Sequence, residues 1–122
     1  MTEAPPELSQ PQPQPQPCTA EHAVIARFRL SGDRYGEPDE RAVIRDAQRL
    51  LVEAIERAGV GEFDGNEFGA GEVTLYAYGP DADALFAVME PTLRDVPFRP
   101  ARALLRYGSA GAPSVTERVV HL

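Results

Sequence analysis

Apolar residues recur along this chain with two different periods, and the order of those periods constrains the fold more than any other feature. From Val43 to Ala58 the apolar residues return every three or four positions, which is typical of one face of an amphipathic helix. Pro38 is favourable in a first helical turn, and Gly59 is favourable just after a last one. The pattern therefore predicts a helix over residues 38–58.

A second, shorter helix is predicted after Asp81, whose side chain can accept hydrogen bonds from the first helical turn. Its apolar stripe consists of Ala84, Leu85, Val88 and Met89. Pro91 has no backbone N–H and its ring crowds the preceding turn, so we expect it to kink or end this helix.

Segments with a period of two, which are typical of strands, surround these helices. The predicted strands cover residues 23–31, 60–68, 72–79 and 101–108, with a final edge strand over 115–121. The segment over 60–68 is predicted from Phe63 and Phe68, which lie in a glycine-rich stretch and indicate a short, twisted strand.

The resulting order is strand, helix, strand, strand, helix, strand, with an extra strand at the end. This is the order of a ferredoxin-like α+β sandwich, in which two helices cover one face of an antiparallel sheet. The run from Gly61 to Phe86, GEFDGNEFGAGEVTLYAYGPDADALF, also resembles small uncharacterised bacterial proteins of this ferredoxin-like α+β kind. The resemblance covers this run alone and implies no activity. We predict a single domain over 21–122.

Residues 1–20 have the composition of a disordered tail. Proline and glutamine alternate from Gln10 to Pro17, and proline fixes φ and removes backbone donors, so this stretch favours polyproline II and cannot build a core. A plain tail and a ligand for a proline-binding groove both fit this composition. Cys18 is the one cysteine, which excludes an internal disulfide.

Charge and hydropathy limit the compartment and the partners. No apolar run approaches the roughly 20 residues of a membrane span, and no charged and apolar leader opens the chain, so we expect a cytoplasmic protein. The chain has twelve arginines and no lysine, which favours a GC-rich bacterial genome, and its net charge is −7. That charge opposes binding to nucleic acid or to an anionic membrane. It is compatible with a basic protein partner and equally with a solvated surface.

Strand parity predicts one candidate binding surface. Phe28 and Leu75 are expected to face the helices, so their neighbours along each strand point to the opposite, helix-free face. The candidate binding residues on that face are Arg27, Arg29, Tyr76, Tyr78, Arg102 and Arg106. Arginine and tyrosine are enriched where proteins bind tightly, so the face is predicted to bind a protein partner or a second copy of the chain. A solvated sheet is the alternative.

RNA-recognition modules use the same face of a similar sheet and stack bases on aromatic residues of the first and third strands. Tyr76 and Tyr78 lie on the third predicted strand, but the first strand offers no outward aromatic residue. The negative net charge also opposes contact with phosphates. We therefore do not expect nucleic-acid binding.

No residue pattern predicts a cofactor or a metal ion. Asp64 and Asn66 are spaced like the first ligands of a calcium-binding loop. Phe68 and Leu75 then occupy two positions at which such a loop needs an oxygen ligand. Turn formation accounts for the polar residues of this hairpin.

Catalytic groups are sparse in the sequence. His22 and His121 are the only histidines and lie near opposite ends of the predicted domain, and no serine lies in a nucleophile-elbow pattern. The leading hypothesis is a small, acidic, non-catalytic protein-interaction or regulatory domain, of which an antitoxin or immunity protein would be one instance. A small-ligand or cation-binding module at the acidic hairpin is the alternative. The second alternative is an enzyme whose site assembles from scattered carboxylates.

Overall fold

The computed structural model describes residues 21–109 and 114–122, which form five strands and two helices. In chain order these are β1 (His22–Arg29), α1 (Pro38–Ala58), β2 (Glu62–Gly69), β3 (Glu72–Gly79), α2 (Ala82–Asp95), β4 (Ala101–Arg106) and β5 (Glu117–His121). The strands form one sheet in the order β2-β3-β1-β4-β5, and every neighbouring pair is antiparallel. The predicted ferredoxin-like α+β fold is confirmed, with β5 added beside β4. The predicted tail over 1–20 lies outside the described residues.

The core lies between the helices and one face of the sheet. Alternate residues of the three middle strands supply the sheet side of the core: Val24, Ala26, Phe28, Val73, Leu75, Ala77, Ala101, Ala103 and Leu105. The helix side comes from Ile44, Ala47, Leu51 and Ile55 of α1 and from Leu85, Phe86, Met89 and Leu93 of α2. Because the side chains of a strand alternate between faces, this packing leaves the intervening residues of each strand on the other side of the sheet.

The two ends of α1 lie where the sequence predicts them. Gly59 ends the helix with φ 67° and ψ 31°, and its N–H donates to the carbonyl of Ile55 at 2.9 Å. A left-handed residue at this position is the common way for a helix to end, and glycine adopts it without a steric penalty. At the other end, Glu40 accepts the N–H of Glu37 at 2.8 Å and that of Ser31 at 2.9 Å. One carboxylate thus joins the first turn of α1 to the loop that follows β1.

α2 continues through Pro91 and ends at Asp95, so of the two expected effects, a kink or an end, Pro91 does not end the helix. Proline removes the hydrogen bond to the carbonyl of Ala87, but Pro91 and Ala87 are both exposed, and water can hydrate that carbonyl. On the opposite side of the helix, Met89 and Leu93 are fully buried. Packing of that buried side favours a continuous helix over the local preference of proline.

Two strands end earlier than their patterns predict because the chain bends at Ser31 after β1 and at Tyr107 and Gly108 after β4. Leu30 remains buried, but its N–H donates to the carbonyl of Gly71 in the β2–β3 turn, and β1 ends at Arg29. β4 ends at Arg106, whose Nε donates to the carbonyl of Gly108 at 2.7 Å. The alternation of apolar and polar residues therefore continues for two residues beyond the end of each strand.

The start of β2 is set by a close approach of two backbone segments. A Cβ on Gly61, which has φ 152°, would lie 2.1 Å from the carbonyl oxygen of Tyr78. A Cβ on Gly79 would lie 2.2 Å from the carbonyl oxygen of Val60. Only glycine fits at both positions, so this contact holds the entry of β2 against the end of β3.

Candidate functional site

The face of the sheet opposite the helices, called the open face below, is formed by the strand residues that the core does not take. Cross-strand pairing identifies them, because directly opposed residues point to the same side. Arg27 pairs with Arg102, Ala23 pairs with both Tyr78 and Arg106, and Ile25 pairs with Tyr76. The open face therefore carries all six candidate residues: Arg27, Arg29, Tyr76, Tyr78, Arg102 and Arg106.

An apolar row crosses the middle of the open face. Tyr76, Ile25, Leu104 and Val119 follow one another on β3, β1, β4 and β5 as directly paired residues. The first three are half-buried, and Val119 is 50% exposed. This row forms a continuous apolar strip on the side of the sheet that faces away from the core.

Two charged rows border the apolar strip, and each has a glutamate on β2 and an arginine on β4. The Arg106 row runs Glu62, Tyr78, Ala23, Arg106 and Glu117 across the five strands. The Arg102 row runs Glu67, Thr74, Arg27, Arg102 and His121. Beyond the Arg102 row, Arg29 pairs with Glu72. The open face is thus acidic along β2 and basic along β1 and β4.

Hydrogen bonds within the open face are few. The Tyr76 hydroxyl donates to Oε1 of Glu67 at 2.9 Å, and this bond, with partial burial, raises the pKa of the Tyr76 phenol above 10.0. Within residues 21–109 and 114–122, neither Arg27 nor Arg102 has a carboxylate at ion-pair distance, although both are half-buried. Their guanidinium groups therefore have donors available for a binding partner.

A shallow groove of about 350 Å³ follows the acidic side of the open face. Asp64, Gly65, Glu67, Tyr76 and Tyr78 are among its lining residues. Beside this groove β2 is irregular, because its register shifts against β3 between Phe63 and Gly65. The extra residue adds a carboxylate, that of Asp64, to the acidic edge.

Sequence reasoning missed a second cluster of polar side chains, which lies at the start of α2. The hydroxyl of Tyr107 donates to Oδ1 of Asp83 at 2.6 Å, and Arg118 donates from Nε to that hydroxyl oxygen at 3.2 Å. The bond to Asp83 raises the pKa of the Tyr107 phenol. His22 lies edge-on against the Tyr107 ring, and its Nδ1 accepts the N–H of Ala82 at 3.0 Å.

This cluster fastens the β4–β5 hairpin to α2. Its members lie far apart in the chain, so no local spacing could have predicted it. Asp81, by contrast, caps α2 as expected, and its Oδ1 accepts the N–H groups of Asp83 and Ala84. His22, Asp83, Tyr107 and Arg118 therefore each make at least one hydrogen bond that joins separate elements.

In the described part of the chain, no three histidine, cysteine, aspartate or glutamate side chains are grouped so that they could hold a metal ion. Neither of the two described helices has the length and apolar character that crossing a membrane requires.

Comparison with models of known protein families gives no match for this chain, and comparison with curated proteins gives none. Among solved structures, the chain is similar to Rv0793 from Mycobacterium tuberculosis, with 17% sequence identity and a TM-score of 0.45. The alignment covers 82% of this chain and 92% of the other.

Proposed function

We propose that this chain is a protein-interaction domain that binds a protein partner through the open face of its sheet. The observation that carries the proposal is the apolar row of Tyr76, Ile25, Leu104 and Val119, which lies between two rows of charged residues. An apolar centre surrounded by a polar rim is the usual composition of a protein interface.

The arginines favour a protein partner over a solvated sheet. Arg27 and Arg102 are half-buried, and no described carboxylate pairs with them. A partner's carboxylates can form bidentate hydrogen bonds with such groups. Glu62 and Glu67 lie on the same face and would repel the phosphates of a nucleic acid, which favours a protein instead.

A double variant, Tyr76→Ala with Arg106→Ala, tests the proposal. Both side chains lie outside the core, so the variant should stay folded, and thermal melting followed by circular dichroism should show a cooperative transition at a modestly lower temperature, because the hydrogen bonds to Glu67 and Gly108 are lost. Binding should weaken by about 30-fold or more, because truncating an interface anchor typically costs about 2 kcal/mol. The measurement is the dissociation constant for the partner, or for self-association in analytical ultracentrifugation.

The matched control is Tyr35→Ala with Arg45→Ala, which removes the same residue types from the loop after β1 and from α1, both outside the sheet. It should leave binding unchanged. A double variant on the open face that melts cooperatively and binds every partner as tightly as the unmodified chain would contradict the proposal.

A further inference from the structure

We propose that the partner on the open face is a second copy of this chain, related by a twofold axis that runs parallel to the strands between β1 and β3. This inference rests on the proposed function and specifies its partner. The argument comes from the charges at the two ends of each row.

Each charged row has a glutamate on β2 and an arginine on β4 that cannot meet within one chain. Arg106 also has Glu117 beside it on β5, whereas neither cross-strand neighbour of Arg102 is a carboxylate. Glu67 on β2 and Arg102 on β4 belong to one row, and Glu62 and Arg106 belong to the other. Three strand spacings of ~4.8 Å separate β2 from β4, so the members of each pair are about 14 Å apart across the sheet. Such charges are complementary to another molecule and not to each other.

A twofold axis along the strands brings these charges together. When it lies between β1 and β3, it exchanges β1 with β3 and β2 with β4, and it keeps every row opposite the same row of the second copy. Arg102 then lies over Glu67 of the second copy, and Arg106 lies over Glu62. By symmetry each contact occurs twice, as an isologous interface requires.

The same operation places apolar groups at the centre. Ile25 lies over Tyr76 of the second copy, near the axis, and Arg29 lies over Glu72 further along the strands. β5 has no counterpart on the other side of β2, so it extends past the second sheet. Two sheets packed face to face in this way keep their strands within about 30° of each other, as in other aligned sandwiches.

The other twofold arrangement that keeps the strands of the two sheets aligned is disfavoured by the same charges. An axis perpendicular to the strands would place β2 on β2 and β4 on β4. Glu62 would then lie near Glu67 of the second copy, and Arg106 would lie near Arg102. Like charges opposed across an interface cost binding energy and exclude that pairing, so the charges select the first arrangement.

Charge reversal in two separate chains tests this arrangement. Arg102→Glu opposes two glutamates across the interface, and Glu67→Arg opposes two arginines. Each variant alone should dimerise about tenfold or more weakly than the unmodified chain in analytical ultracentrifugation. An equimolar mixture of the two should form a heterodimer, because each glutamate then meets an arginine of the other chain.

Rescue in the mixture separates a changed interface from a damaged fold, since Glu67→Arg also removes the hydrogen bond to Tyr76. The matched controls are Arg45→Glu and Glu56→Arg, which reverse exposed charges on α1 and should leave dimerisation unchanged. Glu62→Arg mixed with Arg106→Glu repeats the rescue in the second row.

The outcomes distinguish this inference from the proposed function. An unmodified chain that stays monomeric at about 100 µM overturns the second-copy inference. The proposed function then stands if the Tyr76→Ala, Arg106→Ala double variant loses binding to a different protein partner. It fails if the double variant loses binding to no protein. If the double variant weakens the dimer but mixing the two charge-reversed chains does not restore it, the proposed twofold arrangement is wrong and the second-copy inference stands. A dimer whose dissociation constant is unchanged by every open-face substitution overturns both proposals.

Discussion

Glu40 is the residue that joins α1 to the loop following β1. Its two carboxylate oxygens accept separate backbone N–H groups, those of Glu37 and Ser31. These two bonds hold the pKa of the Glu40 carboxyl below its ordinary value of 4.5. Since the folded chain favours the ionised form more than the unfolded chain does, folding is stabilised where this carboxyl is ionised.

Replacing Glu40 with glutamine should therefore destabilise the protein in a pH-dependent way. The folded pKa lies below the unfolded value, so the contribution of Glu40 is fully present above pH 4.5 and is lost as the pH falls through the folded pKa. The melting temperature of Glu40→Gln should lie below that of the unmodified chain at neutral pH, and the two should converge in acid. Thermal melts across this range provide the measurement.

Glu56→Gln is the control for this experiment, because Glu56 is exposed on α1 and its side chain makes no hydrogen bond within the described residues. It should lower the melting temperature little at any pH. A constant difference between Glu40→Gln and the unmodified chain, from neutral pH into acid, would show that the two backbone bonds do not depend on ionisation of the carboxyl.

At the scale of elements, the β4–β5 hairpin is held by more than its own ladder. Tyr107 follows β4 and bonds to Asp83 on α2, while Arg118 of β5 bonds to both residues. Arg118 and Asp83 are each more than half exposed, at 55% and 65%, so their direct ion pair adds little. The Tyr107 hydroxyl, which donates to the carboxylate and accepts from the guanidinium, connects the hairpin to the helix.

Tyr107→Phe should loosen this connection without disturbing the core. Loss of one hydrogen bond to a charged but exposed group is expected to lower the free energy of unfolding by about 1 kcal/mol. Hydrogen exchange should become faster for the amides of β5 and change little for those of β1. Tyr35→Phe is the control, because Tyr35 is an exposed residue of the loop after β1. Unchanged protection of β5 would mean that backbone pairing with β4 alone holds the strand.

At the scale of the whole molecule, the helices and the middle strands form the core that stabilises the domain. Every described core residue lies between Val24 and Leu105, and partly buried residues such as Val120 and Leu122 pack against it from β5 and the chain end. The opposite face of the same sheet carries the apolar row and the charged rows. One sheet therefore separates the part of the molecule that provides stability from the part proposed to bind.

Deleting residues 1–20 should leave the melting temperature within about 2 °C of the full chain, because a proline- and glutamine-rich segment offers little apolar surface to bury. The measurement is a thermal melt of residues 21–122 beside the full chain. A larger fall would show that the segment packs against the domain.

Local sequence patterns predicted much of this molecule because the relevant physics is local. Alternation along a strand assigns each side chain to one of two faces, so Phe28 and Arg27 could be placed on opposite sides without knowing any neighbour. Helix α1 was predictable over its full length, since Pro38 and Gly59 act on adjacent backbone groups. The same reasoning selected the six residues that now share the open face, while their binding role stays a prediction.

Strand neighbours and register depend instead on the free energy of the whole chain. That Glu67 and Arg102 belong to one row depends on three separate ladders, and no spacing in the sequence contains it. The Tyr107–Asp83 hydrogen bond also joins segments that are distant in the chain. α2 continues through Pro91 because burial of Leu93 outweighs the local tendency of proline to end a helix. Periodicity specifies which way a side chain points, and only the packed sheet specifies what lies beside it.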